Sequence, residues 1–313
     1  MSDRVKGARK QKKDDNKFAL NDSFTLGGNK VNTGLAIAIA MAVVYAALQL
    51  ASAVTESKVA MILTELSFLI FLALAYLARK DVVKGLKKYE FIVYIFLGLS
   101  VVSLLWKLLI TYILTDTNSF GNASWAALVG GFNAVVSLII IAALVYAENI
   151  PLNKIFVKIG DSKGIILGVV GFILCLIFAI AGAYLLSGAS SGINRLAELV
   201  VVVLVFGVVC GVYEELWFRG LLLSKIIPIL GDSAGNIFQA AIFGIFEAMV
   251  FFTLMAKVEP MMLVFFILIG AMLGYYWGRA TLKTGSLLSS ILLHAGLYIL
   301  ILLPLIASST PQV

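Results

Sequence analysis

Two adjacent carboxylates lie within a long apolar stretch of the sequence. Glu214 and Glu215 follow the apolar run Val200 to Val209, and Arg219 comes four residues after Glu215. On a helix, residues four apart share a face, so Glu215 and Arg219 can form an ion pair. A charge at the centre of a membrane helix costs about 2.5–3.5 kcal/mol on insertion scales. The pattern therefore indicates a functional site.

Other residues capable of chemistry follow at the same helical spacing. Glu247 comes four residues after Phe243, and His294, the only histidine in the chain, comes four residues before Tyr298. A rise of 1.5 Å per residue puts His294 roughly 10 Å into its segment, with Glu247 at a similar depth. We expect both to meet the carboxylate pair at Glu214 in one cavity that opens to the cytoplasm.

Carboxylates beside one imidazole are suited to hydrolysis. A carboxylate accepts a proton from water and so strengthens it as a nucleophile. The imidazole can hold that water or protonate a leaving amine. The alternative is a set of buried pairs that only lock helices together, Glu215 with Arg219 and Glu247 with His294.

The composition is that of an integral membrane protein. Hydrophobic residues make up 61% of the 313 residues and charged residues 13%, whereas soluble domains average about 45–50% and about 25%. The predicted fold is all-α, a multi-pass membrane helical bundle with about nine transmembrane helices, because a span needs roughly 20 apolar residues. The nine apolar segments are 33–54, 59–78, 90–115, 123–147, 164–187, 196–217, 236–256, 260–279 and 286–307.

Glycines at intervals of four predict where helices come close together. Gly207 and Gly211 precede Glu215 on the same face, and three more glycines share a face of the eighth segment, at 270, 274 and 278. Small residues at this spacing let two helix backbones approach each other.

The positive charges predict the orientation in the cell membrane. Lys and Arg residues are concentrated in the N-terminal tail and in alternate connections, including Arg219 and Lys225 after the sixth segment. This places the N-terminus in the cytoplasm and the C-terminus outside. We predict a disordered basic tail over 1–30, front spans over 31–160 and a catalytic core over 161–309, the latter two forming one membrane domain. The net charge of +7 is interpreted as a topology signal with contacts to membrane lipid, and not as a nucleic-acid site.

Residues 195–305 resemble the CPBP intramembrane proteases, which include the CAAX prenyl endopeptidases and bacteriocin-processing or immunity-associated proteins. The segment Glu214 to Arg219 matches the family's Glu-Glu-x-x-x-Arg motif, and Phe243 to Glu247 falls where the family has Phe-x-x-x-His. Residues 274–287 with His294 resemble the last motif region, which contains His-x-x-x-Asn or Asp. Two positions depart from the family, Glu247 and Tyr298. A related group, the bacterial anti-sigma-factor site-1 proteases, also has Phe-x-x-x-Glu.

The resemblance implies roles for these residues. Glu214 and Glu215 would be the base and its partner, Arg219 would fix them, and His294 would hold the water. Tyr298 can donate its hydroxyl to an oxyanion. The predicted catalytic residues are Glu214, Glu215, Arg219, Glu247, His294 and Tyr298, and the predicted substrate-binding residues are Phe243 and Trp217.

The expected function is intramembrane hydrolysis of a peptide bond in the cytoplasmic half of the membrane. The substrate is a membrane-bound peptide or a prenylated protein C-terminus. We expect a metal-independent glutamate mechanism with no cofactor, because the candidate ligands are oxygen-rich and lack zinc-site spacing; a divalent metal such as zinc is the alternative. Two other functions stay open: a non-enzymatic protein of the same fold, acting as an immunity factor or scaffold, and a transporter with a proton or ion path.

Overall fold

The computed structural model describes residues 18–19, 23–26, 29–55, 57–109, 112, 122–187, 193–254 and 260–309. Within these residues the chain forms ten α-helices and one π-helix. The helices are α1 (Thr33–Val54), α2 (Ser57–Arg79), α3 (Glu90–Leu108), α4 (Asn122–Ala147), α5 (Ser162–Ser187), α6 (Ile193–Glu215), the π-helix (Leu216–Leu223), α7 (Ser224–Leu230), α8 (Asp232–Leu254), α9 (Pro260–Thr284) and α10 (Leu288–Ser309).

The predicted multi-pass helical membrane bundle is confirmed. Eight segments of the described chain are long and apolar enough to cross a membrane. The seventh predicted span, 236–256, corresponds to α8, whose 23 residues extend about 35 Å at 1.5 Å per residue. This helix is not among the eight, so its crossing stays a prediction. The eight are Thr33–Ser52, Lys58–Arg79, Leu86–Leu108, Gly130–Ala147, Ser162–Leu186, Leu196–Leu230, Met261–Thr284 and Leu288–Ala307.

The sixth span is longer than predicted. It runs without a break from Leu196 to Leu230, because the π-helix and α7 continue α6. Arg219 was assigned to a polar connection after this span, and that assignment is wrong. Arg219 lies in the π-helix and is fully buried, so it is part of the bundle interior.

Four short strands accompany the helices. Strand β2 (Ser23–Leu26) pairs antiparallel with β3 (Asn29–Asn32), and β1 (Phe18–Ala19) pairs parallel with β4 (Val83–Lys84). Strands β1 and β2 fall within residues 1–30, and the prediction of a disordered tail over 1–30 stays a prediction. Residues 1–17 lie outside the described residues.

Glycines allow the closest helix contacts, as predicted. A Cβ added at Gly207 would come within 2.9 Å of the Ala295 carbonyl oxygen, so α6 and α10 touch through their backbones. At Gly244, an added Cβ would come within 2.4 Å of the Ile267 carbonyl oxygen, so α8 and α9 are equally close. These contacts hold the two carboxylate-bearing helices, α6 and α8, against α10 and α9.

Three aromatic rings pack together between the first three helices. Tyr45, Phe71 and Phe96 form a three-ring contact, with Phe71 and Phe96 stacked at 5.4 Å between centroids. The main buried apolar cluster draws on residues from Ala38 to Ala307, so the front helices and the later ones share one core. The division into 31–160 and 161–309 stays a prediction.

Candidate active site

His294 lies at the centre of a cluster of carboxylates. Its Nδ1 is 3.0 Å from Glu215 Oε1, its Nε2 is 3.2 Å from Glu214 Oε2, and the same Nε2 is 3.6 Å from Glu247 Oε1. The four side chains come from α6, α8 and α10. The predicted convergence of these residues is confirmed, and their catalytic roles stay predictions.

The cluster is enclosed by protein. Glu214 and Glu215 are 0% exposed, His294 is 1% exposed and Glu247 is 7% exposed. A carboxylate can only accept hydrogen bonds when ionised, so a histidine between carboxylates satisfies them best as the imidazolium or with one carboxyl protonated. The enclosure strengthens every electrostatic interaction within the cluster, because water does not screen it.

Arg219 holds the second carboxylate from one side. Its Nη1 lies 2.9 Å from Glu215 Oε1, and its Nη2 donates a 3.3 Å hydrogen bond to the Gly274 carbonyl oxygen. The guanidinium carbon lies 4.1 Å from the centroid of the Phe243 ring. The predicted pairing of Glu215 with Arg219 is confirmed, and the pair is tied to both α8 and α9.

Tyr298 stacks on the imidazole and reaches the first carboxylate. Its ring lies 5.0 Å from that of His294 with 13° between the planes. Its hydroxyl donates to Glu214, 2.9 Å from Oε1 and 3.2 Å from Oε2. The expected donation to an oxyanion therefore stays a prediction, because this hydroxyl proton is already engaged by Glu214.

The structure places the two predicted substrate-binding residues differently. Phe243 is fully buried and meets His294 edge to face at 5.5 Å between ring centroids, so it lines the cluster. Trp217 is 1% exposed and its ring lies over Gly98 of α3. Its role in substrate binding stays a prediction.

Two residues of the site were missed by sequence reasoning. The Trp277 ring lies 4.4 Å from the His294 ring, and Gln239 donates a 2.9 Å hydrogen bond to the same Gly274 oxygen that Arg219 uses. Gln239 also donates to Asn236. Two sequence features could have identified these residues. Trp277 falls within the last motif region of the resemblance, and Gln239 lies four residues before Phe243, on the same helix face.

Two carboxylate oxygens of the cluster have no hydrogen-bond partner among the described residues. They are Glu215 Oε2 and Glu247 Oε1. Buried polar atoms are nearly always satisfied by protein or by ordered water. Both atoms are thus acceptors for a water or a substrate N–H next to the imidazole.

Three residues could hold a metal ion. One donor atom each from Glu214, Glu247 and His294 lies within 4.8 Å of the others. The set offers two carboxylates and one imidazole, whereas catalytic zinc sites more often have two or three nitrogen ligands. The donor chemistry therefore permits a divalent ion without demanding one.

An apolar groove reaches within one helical turn of the cluster. Its volume is ≈ 380 Å³, and its lining includes Val212 of α6, Leu216 of the π-helix and Ile291 of α10. Val212 and Ile291 each precede a cluster residue, Glu215 and His294, by three positions. Lys158 and Ser286 lie on its wall as polar groups.

Comparison with known proteins gives one family. Residues 196–300 match the family model of the Rce1-like type II CAAX prenyl endopeptidases. No curated protein and no solved structure matches the chain. The matched residues include every member of the cluster, and they agree with the motifs at Glu214 and His294. The segment 196–300 of this multi-pass membrane protein is thus similar to the CAAX prenyl endopeptidases.

Proposed function

We propose that this protein is an intramembrane endopeptidase that hydrolyses a peptide bond of a membrane-associated substrate. The observation that carries the proposal is the set of three carboxylates within 3.6 Å of one imidazole, inside helices of a membrane bundle. The family of residues 196–300 supports the same class of reaction.

The chemistry follows from the contacts of each residue. Glu214 accepts a proton from water, and the water oxygen attacks the carbonyl carbon of the peptide bond. His294, held between the carboxylates, orients that water. When the C–N bond breaks, the proton on Glu214 passes to the leaving amine, which regenerates the carboxylate. Arg219 keeps Glu215 in place at 2.9 Å.

Glu247 takes the position at which related proteases have histidine. It can hydrogen-bond an oxyanion only when protonated, whereas a histidine donates in either charge state. This position therefore supports a second candidate, a proteolytically inactive protein of the same fold that acts as an immunity factor or scaffold. The two candidates differ in whether peptide is cleaved.

The substrate is proposed to be a hydrophobic peptide segment or a prenylated protein C-terminus. The groove beside Leu216 supports this, because it is lined largely by apolar side chains and approaches both α6 and α10. The reaction is proposed to need no metal, and the cytoplasmic placement of the N-terminus is proposed from the positive charges of the tail. Terminal tags tested for protease accessibility in sealed vesicles would check that placement.

The test is proteolysis in liposomes by the full chain, on prenylated and on plain fluorescent peptides. Wild type is compared with Glu214→Ala, Glu247→His and the control Glu90→Ala, which removes a carboxylate that is also mostly buried but pairs with Arg79. Cleavage by wild type and Glu90→Ala, with loss in Glu214→Ala, supports the protease. Cleavage by Glu247→His alone supports the inactive fold.

Two further arms separate the remaining alternatives. Wild-type activity that survives a strong chelator supports the metal-independent mechanism, and activity restored only by a divalent ion overturns it. If none of the variants cleaves peptide, proton-coupled flux into the same liposomes would support the transporter.

A further inference from the structure

Trp277 contacts both the imidazole of His294 and the guanidinium of Arg219. Its ring lies 4.4 Å from the His294 ring with 30° between the planes, and 5.4 Å from the guanidinium carbon of Arg219. Trp277 is 6% exposed and lies on α9. No carboxylate-bearing residue of the cluster comes from that helix, so Trp277 brings a fourth helix to the site.

The contact with His294 restricts how the imidazole can turn. Trp277 and Tyr298 both present ring faces to it, and Phe243 meets it edge to face at 84°. A rotation of the imidazole about its side-chain bonds would drive it into one of these rings. The positions of Nδ1 and Nε2 against the carboxylates are therefore fixed by neighbouring rings as well as by hydrogen bonds.

The contact of Trp277 with Arg219 likewise restricts the position of the guanidinium. A guanidinium over an aromatic face is stabilised, by about 2 kcal/mol or more when water is excluded. The guanidinium of Arg219 lies over Phe243 and Trp277, while its Nη2 donates to Gly274, three residues before Trp277 on α9. One turn of α9 thus supplies both a ring and a carbonyl to the arginine that holds Glu215.

We infer that Trp277 is a positioning residue that fixes His294 and Arg219 in one arrangement against Glu214 and Glu215. It meets the cluster through its ring and supplies no group to the reacting atoms. The inference rests on the proposed function for its kinetic consequences, but its geometric consequence for His294 does not depend on peptide cleavage.

The kinetic test compares Trp277→Leu and Trp277→Phe with Trp106→Leu in liposomes. Trp106 is a matched control, since it is 8% exposed and its ring packs on Phe132, away from the cluster. Displacement of catalytic groups by about 1 Å can lower a rate roughly 100-fold. We expect kcat of Trp277→Leu to fall about 10- to 100-fold with KM within about twofold, Trp277→Phe to recover part of the loss, and Trp106→Leu to match wild type.

A spectroscopic test needs no activity. Because the chain has one histidine, ¹⁵N-histidine labelling gives the imidazole signals of His294 without assignment. We expect both ¹⁵N signals to shift in Trp277→Leu, to return toward wild type in Trp277→Phe, and to stay in place in Trp106→Leu.

The kinetic and spectroscopic tests distinguish failure of the proposed function from failure of the inference about Trp277. If wild type cleaves nothing, the proposed function fails, and the ¹⁵N shifts still decide the role of Trp277. If Glu214→Ala abolishes cleavage while Trp277→Leu keeps both the wild-type kcat and the wild-type signals, the inference is overturned. Equal losses of activity and of thermal stability in Trp277→Leu and Trp106→Leu would also overturn it, because they would indicate general packing.

Discussion

The front and back halves of the bundle each bury polar side chains, but only the back half buries a cluster of charged groups. The buried carboxylate of the front half, Glu90, pairs with the exposed side chain of Arg79. In front, Gln49 donates to Ser67, Ser67 pairs with Ser100, and Ser52 pairs with Thr64, at 3.0–3.4 Å. These neutral groups connect α1, α2 and α3. Neutral hydrogen bonds between membrane helices contribute about 0.6 kcal/mol each on average.

The back half connects its helices with three carboxylates, one arginine and one imidazole, and it leaves carboxylate oxygens without partners. Glu215 Oε2 and Glu247 Oε1 are the carboxylate oxygens of the cluster that have no hydrogen-bond partner among the described residues. Buried ion pairs contribute little net stability because desolvation offsets their attraction. The front half shows that this chain can tie helices together without charge. The charged cluster is thus better explained by chemistry than by packing.

The largest expected effect is on activity. His294→Gln should lower the proteolytic rate by about 10²- to 10⁴-fold, the range for loss of a proton-transfer or water-orienting group. Gln49→Leu, a matched loss of a buried polar group in the front half, should stay within about threefold of wild type. Comparable losses in both variants, measured as cleavage rates in liposomes, would erase the distinction between the halves.

The next effect is on stability. Arg219→Ala leaves Glu215 buried without its cation, which should cost about 3–5 kcal/mol of unfolding free energy. The double variant Glu215→Leu with Arg219→Met removes both charges and should regain most of that loss. Equilibrium unfolding in mixed micelles measures both. A double variant as unstable as the single one would mean that the pair is needed for packing.

Gly244→Ala tests how closely α8 must approach α9. The added methyl would lie 2.4 Å from one backbone atom and 2.6 Å from another, and overpacking of this kind costs about 1–3 kcal/mol. The control is Gly131→Ala in α4, where an added Cβ meets nothing within 4 Å. We expect Gly131→Ala to keep or slightly raise the unfolding free energy. Equal values for the two variants would contradict the close contact.

The smallest expected effect on stability concerns the hydrogen bonds that connect α1, α2 and α3. Ser67→Ala removes a hydroxyl that bonds both Gln49 and Ser100, and it should cost about 0.6 kcal/mol per lost bond without changing the cleavage rate. The same unfolding and cleavage assays measure it. A large drop in activity would show that the front helices transmit structure to the site.

Much of this site was predictable because a membrane leaves buried charges few options. An ionisable side chain in a membrane span faces either lipid, at a high cost, or other polar groups. Helical spacing and depth were therefore enough to predict that Glu214, Glu247 and His294 meet. The same rule misplaced Arg219, because a charge after an apolar run was interpreted as the end of a span. The fully buried arginine shows that the run continues through it.

The contacts between the aromatic rings could not be predicted from the sequence. Periodicity gives the residues that share a face, but not the direction that face takes in the bundle. The packing of Trp217 on Gly98 was therefore not predicted, and Trp277 carried no prediction although its ring lies 4.4 Å from that of His294. The substrate-binding role of Trp217 stays a prediction. The partner of the Tyr298 hydroxyl was missed for the same reason, since it depends on how closely α6 and α10 approach.

The π-helix from Leu216 to Leu223 has a consequence for how this chain tolerates changes in length. Each i to i+5 hydrogen bond closes a loop that is one residue longer than the loop closed by the i to i+4 bonds of the flanking helices. Deleting Leu216 would let the segment become α-helical, and Arg219 would then follow Glu215 by three positions instead of four. A deletion of one neutral leucine would thus move the arginine that pairs with Glu215, although no charged residue is changed. The number of residues in this segment is therefore as much a part of the site as the charges that it carries.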